Sequence, residues 1–294
     1  MQGAQCIVWD IDPVMFKLWF FAPRWYGLFF GLGLITGYYL FVWQSKRTKL
    51  NEDIPIKLFF YIYFGTIIGA FLGHRLFYDF DKFIRDPISG LSLKGGISGL
   101  SSHGAAVGII IGVFLFSRKY KIRFLEIFDR ISFGIAVVAA SVRAGNLMNS
   151  EIVGRQTDVS WAFCFPRYDT GLLVPRHPSQ IYEVTIGLLV LFSLIVADRL
   201  WKGENRPLGF LSGLFAIQYF SLRFVVEFFK EYQALPSGYP LTMGQFLSIP
   251  FVVLGLVVMI WSLITKHPAS LVPEPAMKGA SNPSRKKASQ RKTS

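Results

Sequence analysis

The sequence predicts an all-α polytopic membrane protein with about seven transmembrane helices and a small extracytoplasmic head region. Of the 294 residues, 52% are hydrophobic and only 17% are charged, whereas a soluble domain carries about a quarter of its residues as charges. Charge-poor segments recur at lengths near the roughly 20 residues that cross a bilayer. The basic residues behind the net charge of +13 lie between these segments. They form no single water-facing surface, so no nucleic-acid partner is predicted.

Seven spans are predicted within a single integral membrane domain, residues 1–265. They cover residues 25–45, 57–77, 101–117, 124–142, 180–199, 207–227 and 244–265. The first and last contain no charge, and the second and sixth are apolar segments that end in charged residues. His103 interrupts the third span, Glu183 interrupts the fifth, and the fourth is the least apolar because it contains Glu126, Asp129 and Arg130.

The distribution of basic residues predicts the orientation of these spans. Eighteen of the 31 lysines and arginines fall in the segments that follow spans one, three, five and seven. Since short cytoplasmic loops are enriched in these residues, the N-terminus is predicted outside and the C-terminus in the cytoplasm. Residues 143–178 then form an extracytoplasmic loop. Residues 267–294, rich in Pro, Ser, Ala and Lys, are predicted to be a disordered basic cytoplasmic tail.

Two further sequence features bear on processing and on cysteine chemistry. The first residues lack the basic start, uninterrupted apolar run and small-residue cleavage site of a signal peptide. Cys6 and Cys164 lie far apart in sequence, and their spacing indicates neither a metal site nor a disulfide framework.

Four ionisable residues at the predicted outer ends of spans are candidates for a functional site. They are His103, Arg143, Arg223 and Glu227. An ionisable group at membrane depth needs a partner or a water-filled cavity to offset its dehydration. Arg223 and Glu227 are four residues apart, so on a helix they share a face and can form an ion pair. Taken singly, each residue also fits a paired or snorkelling helix end, but their joint position on one side favours a site.

The segment from Arg143 to Arg155 contains two arginines, two asparagines, two glycines and one carboxylate at a predicted helix end. The glycines give backbone freedom, and the polar side chains supply a dense set of hydrogen-bond donors. Arginine suits phosphate because its planar fork makes charge-assisted bidentate bonds to phosphate oxygens. The segment therefore predicts a phosphate site, with an ordinary Gly-Asn helix C-cap as the alternative.

This segment resembles the signature of the prolipoprotein diacylglyceryl transferase family of bacterial inner membranes. The resemblance extends from Asp12 through the seventh span and excludes the tail. The signature residues are Arg143, Gly145, Asn146, Asn149, Glu151, Gly154 and Arg155. Five further motifs follow the family order: Trp-Tyr-Gly at 25–27, Gly-Leu-Ser-Ser-His-Gly at 99–104, Arg-His-Pro-Ser-Gln-Ile-Tyr-Glu at 176–183, Arg223 with Val-Glu-Phe-Phe at 226–229, and Met-Gly-Gln at 243–245.

The resemblance implies an enzyme that moves the diacylglyceryl group of phosphatidylglycerol to the lipobox cysteine of a prolipoprotein signal peptide. The products would be a thioether and glycerol phosphate. Its partners would be those two substrates and membrane lipids, and its location the bacterial cytoplasmic (inner) membrane. The aspartates do not recur at the helical spacing of metal-dependent transferases that act on CDP-alcohols, so no metal and no cofactor are predicted.

Residue roles follow from the charges that this reaction develops. Arg143 and Arg223 are predicted to stabilise the departing phosphate. The residues predicted to bind phosphatidylglycerol are Arg143, Asn146, Glu151, Gly154, Arg223 and Glu227. Asn146 and Glu151 are assigned to orienting the arginines and the lipid headgroup, and Glu227 to holding Arg223 in place.

The acceptor thiol must lose a proton, because its ordinary pKa is about 8.5 and the thiolate is the nucleophile. His103 can accept this proton, its ordinary pKa being about 6.5. Tyr26 is the rival candidate for the base, or a donor to the phosphate. His177, in the His-Pro-Ser-Gln motif, fits a structural role at the entry to span five.

Two other protein classes remain as alternatives. A polytopic transporter or channel should carry charge across the whole bilayer depth or contain repeated broken helices, whereas the candidate charges here lie on one side. A non-catalytic scaffold that binds anionic lipid would keep the arginines and lose the base, yet His103 and Tyr26 are both present.

Overall fold

The computed structural model describes residues 6–48, 50–77, 84–85, 102–231 and 240–268. Within these residues it contains seven long helices and three two-residue strands. The helices are α1 (Trp25–Arg47), α2 (Asp53–Phe77), α3 (Ser102–Tyr120), α4 (Phe124–Met148), α5 (Ser179–Leu200), α6 (Phe210–Val226) and α7 (Met243–Thr265). The prediction of a mostly helical membrane protein is confirmed. All but the first two residues of the predicted tail lie outside the described residues.

Five of the helices are long and apolar enough to cross a bilayer, namely α1, α2, α5, α6 and α7. Each of the seven predicted spans overlaps a helix, but the number of spans stays a prediction. The clearest difference in boundary is at α4, which continues to Met148 instead of ending at residue 142. The helix continues because Arg143 and Asn146 find polar partners within the protein, so the charge does not mark the end of the helix.

The chain divides into two compact units, and α2 and α3 belong to the one formed by residues 42–127. Glycines recur every four residues on both helices, at positions 65, 69 and 73 and at positions 104, 108 and 112. A Cβ at Gly69 would lie 2.7 Å from the Cα of Gly108, closer than real Cβ contacts. The small residues therefore let two helix backbones pack directly against each other, as glycine does in membrane helix pairs.

The other unit comprises the described residues of 6–41 and 128–268. Its apolar core is formed by side chains of α4, α5 and α6. The buried members are Phe133, Ala136, Ile186, Val190, Leu194, Leu211, Phe215 and Val226. This packing fixes the relative positions of the three helices that carry most of the candidate site residues.

A buried ion cluster lies at one end of the same three helices. Arg206, which precedes α6, places its Nη1 3.1 Å from Asp198 Oδ1 and its Nε 4.0 Å from Asp129 Oδ2. Asp129 accepts hydrogen bonds from the backbone N–H groups of Gly209 and Ser212, each at 2.8 Å, and from the Ser212 hydroxyl at 2.6 Å. The Asp129 carboxylate, which would be costly alone in α4, is therefore satisfied by Arg206 and by the segment that begins α6.

A small three-stranded sheet forms the head region. Strand β1 (Ile7–Val8) pairs in parallel with β2 (Phe163–Cys164), which pairs antiparallel with β3 (Pro175–Arg176). Trp9 follows β1 and donates its indole N–H to the carbonyl of Leu147 near the end of α4, at 2.9 Å. The N-terminal segment is thereby attached to both the sheet and the signature segment.

The expectation that the cysteines form no disulfide is wrong, because Cys6 and Cys164 are bonded to each other. Their separation of 158 residues gave no sign of this pairing. Parallel pairing of β1 with β2 places Val8 opposite Cys164, and Cys6, the residue before β1, then lies diagonally across from Cys164 with their Cα atoms 5.7 Å apart. The pairing follows from the fold of the head and not from cysteine spacing.

We expect reduction of this disulfide to lower the free energy of unfolding by about 2–4 kcal/mol, because the bond closes a very long loop in the unfolded chain. The measurement is the melting temperature in detergent with and without dithiothreitol. The Cys6→Ser variant should melt below the wild type and should not respond to the reductant. An unchanged wild-type melting temperature, with both thiols shown by labelling to be reduced, would contradict the prediction.

Candidate active site

Glu183 links the two arginines that the sequence singled out. Arg143 Nε lies 3.1 Å from Glu183 Oε2, and Arg223 Nη1 lies 3.1 Å from Glu183 Oε1. The side chain of Glu183 is 5% exposed, while Arg143 and Arg223 are 14% and 25% exposed. The residues come from the last turns of α4 and α6 and the first turns of α5. One buried carboxylate thus holds two partly accessible guanidinium groups together.

Lys230 and Glu227 extend this cluster. Lys230 Nζ lies 2.6 Å from Glu227 Oε1 and 3.8 Å from Glu183 Oε1, and its side chain is buried. The predicted pair of Arg223 with Glu227 is present at 3.7 Å, but the shorter contacts of these residues are with Glu183 and Lys230. Three cations and two carboxylates thus form one ion-pair cluster, in which only the two arginine side chains are partly accessible.

Glu183 and Lys230 were not among the site residues predicted from the sequence. Glu183 was noted as an interruption of span five and as the last residue of the 176–183 motif. A carboxylate inside an apolar segment was itself the usable signal, because it needs a cation to offset its burial. Lys230 gave no such signal, since it follows the predicted end of span six among ordinary loop residues.

Asn146 connects Arg143 to Glu151. Its side-chain oxygen accepts a hydrogen bond from Arg143 Nη1 at 3.3 Å, and its amide nitrogen donates to Glu151 Oε2 at 3.2 Å. Asn149 donates to the other oxygen of Glu151 at 3.2 Å. Arg143 thus uses Nε and Nη1 within the protein. Its Nη2 has no ion pair or hydrogen bond to any of the described residues. The predicted positioning role requires such contacts, and it stays a prediction.

The turn after α4 holds two residues in the left-handed region, Ser150 and Ile152, with φ values of 53° and 57°. This conformation is costly for a β-branched residue such as Ile152. Two buried side chains at the start of α5 hold the turn. Ser179 Oγ donates to the Ile152 carbonyl at 2.8 Å, and Gln180 Nε2 donates to the Glu151 carbonyl at 2.7 Å. The second half of the signature is therefore fixed by α5, as strained functional segments generally require.

Gly154 lies where three backbone segments meet. Its N–H donates to the carbonyl of His177 at 3.1 Å, and the N–H of Arg155 donates to the carbonyl of Phe229 at 2.9 Å. A Cβ at Gly154 would lie 2.6 Å from the His177 Cβ and 2.8 Å from the Phe229 carbonyl oxygen. The geometry gives Gly154 a steric role, while the substrate contact predicted for it stays a prediction.

His177 contacts the same backbone segments, and its side chain belongs to a short series of hydrogen-bonded side chains. Its backbone N–H donates to the Arg155 carbonyl at 3.0 Å, and its Nδ1 lies 3.1 Å from the Tyr182 hydroxyl. Trp161 donates its indole N–H to that hydroxyl at 2.9 Å. Burial lowers the pKa of the His177 imidazole, with the charge of Asp158 opposing the shift, so the ring is neutral at pH 7. These contacts are those of a structural residue.

We expect Tyr182→Phe to lower the free energy of unfolding by about 1 kcal/mol, because it removes the shared partner of Trp161 and His177. The measurement is the melting temperature in detergent. Tyr168→Phe is the matched control, because Tyr168 is 43% exposed and its hydroxyl forms no hydrogen bond within the described residues. If the two variants lose the same amount of melting temperature, the hydrogen bonds of the Tyr182 hydroxyl contribute nothing to stability.

Of the two candidate bases, Tyr26 has a described side chain and His103 does not. Tyr26, at the start of α1, packs beside the signature, because a Cβ at Gly145 would lie 2.6 Å from its ring. It is close enough to Arg143 and Glu151 to interact with both charges. His103 belongs to the first turn of α3 by its backbone, and its side chain lies outside the described residues. The choice of base stays open.

The fold and the cluster define a multi-pass membrane protein with a buried ion-pair cluster at one end of α4, α5 and α6. The chain belongs to the prolipoprotein diacylglyceryl transferase family, whose model matches residues 13–261. The family resemblance drawn from the signature is thereby confirmed.

Curated relatives carry one enzyme name, phosphatidylglycerol–prolipoprotein diacylglyceryl transferase. The protein of Bacteroides fragilis is 40% identical over 263 residues, which cover 85% of this chain and 93% of the relative. The protein of Chloroherpeton thalassium is 41% identical over 266 residues, which cover 90% and 97%. That of Tolumonas auensis is 38% identical over 262 residues, which cover 87% and 97%.

Proposed function

We propose that this chain is an enzyme that transfers the diacylglyceryl group of phosphatidylglycerol to the lipobox cysteine thiol of a prolipoprotein. The relatives are named for this activity. The observation that carries the proposal is the cluster of Arg143, Glu183, Arg223, Glu227 and Lys230, in which one buried carboxylate holds two partly accessible guanidinium groups together. A partly accessible cationic site at the end of membrane helices suits an anionic lipid headgroup.

The reaction is a displacement at carbon. The cysteine sulfur forms a bond to the glyceryl carbon that carries the phosphate ester, and the bond from that carbon to oxygen breaks. The electron pair of the broken bond stays on the departing glycerol phosphate, and the thiol proton goes to a base. The phosphate gains one negative charge in this step, so a cation near it interacts more strongly with the transition state than with the bound lipid.

Arg143 and Arg223 are the groups that we assign to this developing charge. Their guanidinium groups are held by Glu183 at 3.1 Å each, and Asn146 fixes a second nitrogen of Arg143. Preorganised donors stabilise a transition state because they need no reorganisation when the charge appears. Glu151, Gly154 and Glu227 complete the proposed lipid site, with His103 or Tyr26 as the base.

The activity is tested by incubating purified protein with phosphatidylglycerol and a lipobox peptide and measuring the peptide mass. We expect the cysteine peptide to gain one diacylglyceryl group and the matched serine peptide to remain unmodified. Efficient modification of serine would rule out the thiolate mechanism. No product from a folded, lipid-binding protein would favour the transporter or the non-catalytic lipid scaffold instead.

We infer that the protein lies in the bacterial cytoplasmic (inner) membrane with its N-terminus outside and its C-terminus in the cytoplasm. The basic residues that follow alternate spans support this orientation. The disulfide of Cys6 with Cys164 adds independent support, since such bonds persist in oxidising compartments and are rare in the cytosol. A topology reporter fused after Ser294 should act only in the cytoplasm, and one near Thr157 only outside. Both reporters on one side would overturn the orientation.

A further inference from the structure

Residues 14–24 form a β-hairpin that leads directly into α1. Val14 pairs antiparallel with Arg24, and Leu18 pairs with Phe21. The N–H groups of Leu18 and Phe21 each donate to the carbonyl of the other, at 2.9 and 2.8 Å. Helix α1 begins at Trp25, one residue after the hairpin ends. The hairpin is therefore joined without a linker to a helix that is long and apolar enough to span the bilayer.

The tip of this hairpin presents large apolar side chains with almost no protein contact. Trp19 is 93% exposed and Phe20 is 96% exposed, and the flanking Leu18 and Phe21 are 64% and 53% exposed. Contiguous apolar exposure of this kind marks an interaction surface on a protein.

The turn at the tip is not built from the residues that a turn prefers. Two-residue hairpin turns favour glycine, asparagine or aspartate because they require positive φ. Trp19 occupies such a position with φ of 51°. A bulky aromatic residue in this conformation is unfavourable for the turn. The requirements of the turn therefore do not account for Trp19 at this position.

We propose that the Leu18–Phe21 tip inserts into the bilayer leaflet at the N-terminal end of α1. Continuity with the exposed apolar surface of α1, which includes Leu28 and Leu32, identifies the bilayer as the partner. Tryptophan is enriched at membrane interfaces, where its ring lies at the headgroup level.

Lys17 and Arg24 flank the tip, and both side chains are exposed. Neither forms an ion pair within the described residues, so their charges are available for lipid phosphates at the membrane surface. The inserted hairpin fixes the bilayer surface close to Tyr26, two residues beyond it. The inference does not depend on the proposed reaction.

The test uses a fluorophore on a single introduced cysteine. The two native cysteines are bonded to each other, so Phe20→Cys supplies the only free thiol. The labelled protein is reconstituted in vesicles that contain phosphatidylglycerol. We expect its emission to be shifted to the blue and quenched several-fold more by nitroxide lipids than by aqueous iodide. Leu32→Cys, on the lipid-facing surface of α1, is the membrane control, and Ser160→Cys, exposed on the head, is the water control.

Trp19→Cys, labelled in the same way, repeats the measurement at the neighbouring residue and so detects any local distortion caused by the change at Phe20. Labels at both positions that respond to iodide as the Ser160→Cys label does would overturn the proposal. Labels that respond to iodide in vesicles and become protected only when lipobox peptide is added would also overturn it, since the partner of the tip would then be the acceptor peptide.

Discussion

Replacing Arg143 by lysine is expected to lower the initial transfer rate by about 100- to 1000-fold, or roughly 3–4 kcal/mol of transition-state stabilisation. Lysine keeps the positive charge but loses the planar fork, so it cannot hold Glu183 and Asn146 and also present a donor to phosphate. The present contacts use Nε and Nη1 of Arg143, at 3.1 and 3.3 Å. The measurement is the initial rate at saturating phosphatidylglycerol, with the melting temperature recorded in parallel.

Arg167→Lys is the matched control for this change. Arg167 is in the head region and pairs with Asp10 at 3.0 Å, with both side chains well exposed. Exposed ion pairs contribute little, so this variant should keep the wild-type rate. A near wild-type rate in Arg143→Lys, or a loss that only follows the loss of folded protein, would make Arg143 a structural residue and move the search to Tyr26 and His103.

Replacing Arg206 by methionine is expected to lower the free energy of unfolding by about 3–5 kcal/mol, because it leaves buried carboxylates without their cation. Arg206 and Asp129 are fully buried, and Asp198 is almost so. Methionine is apolar and similar in length to arginine, so the substitution removes the charge while keeping most of the side-chain packing. The melting temperature in detergent is the measurement.

Arg199→Met removes the same charge from an exposed position near the end of α5. Surface substitutions usually alter stability by less than about 0.5 kcal/mol, so we expect little change. If the two variants melt alike, the buried cluster does not hold the helices together.

The class of the fold could be predicted from sequence because it depends on composition and segment length alone. The positions of Arg143, Arg223 and Glu227 near helix ends also followed from charges that interrupt apolar runs. The pair of Arg223 with Glu227 followed from their spacing of four residues. The carboxylate that joins the two arginines did not follow, since Glu183 lies 40 residues from each of them in sequence and is joined to them only by helix packing.

Other features were missed for different physical reasons. The disulfide depends on a parallel strand pair of two residues per strand, which is too short to leave a sequence pattern. Glycines at 65, 69 and 73 and at 104, 108 and 112 did carry a readable signal, because a spacing of four places them on one helix face. The helical state of residues 143–148 was hidden because internal ion pairing can keep a charged segment in a helix.

The bonding of Asp129 has a consequence for how the protein is made. Asp129 lies in α4, and its three hydrogen-bond donors belong to Gly209 and Ser212, about 80 residues later in the chain. At roughly 5–20 residues per second, synthesis reaches them about 4–16 s afterwards. During that interval the carboxylate of Asp129 lacks these donors and must be satisfied by water or be protonated. Final placement of α4 is therefore coupled to the arrival of α6, which makes assembly of these helices a joint event.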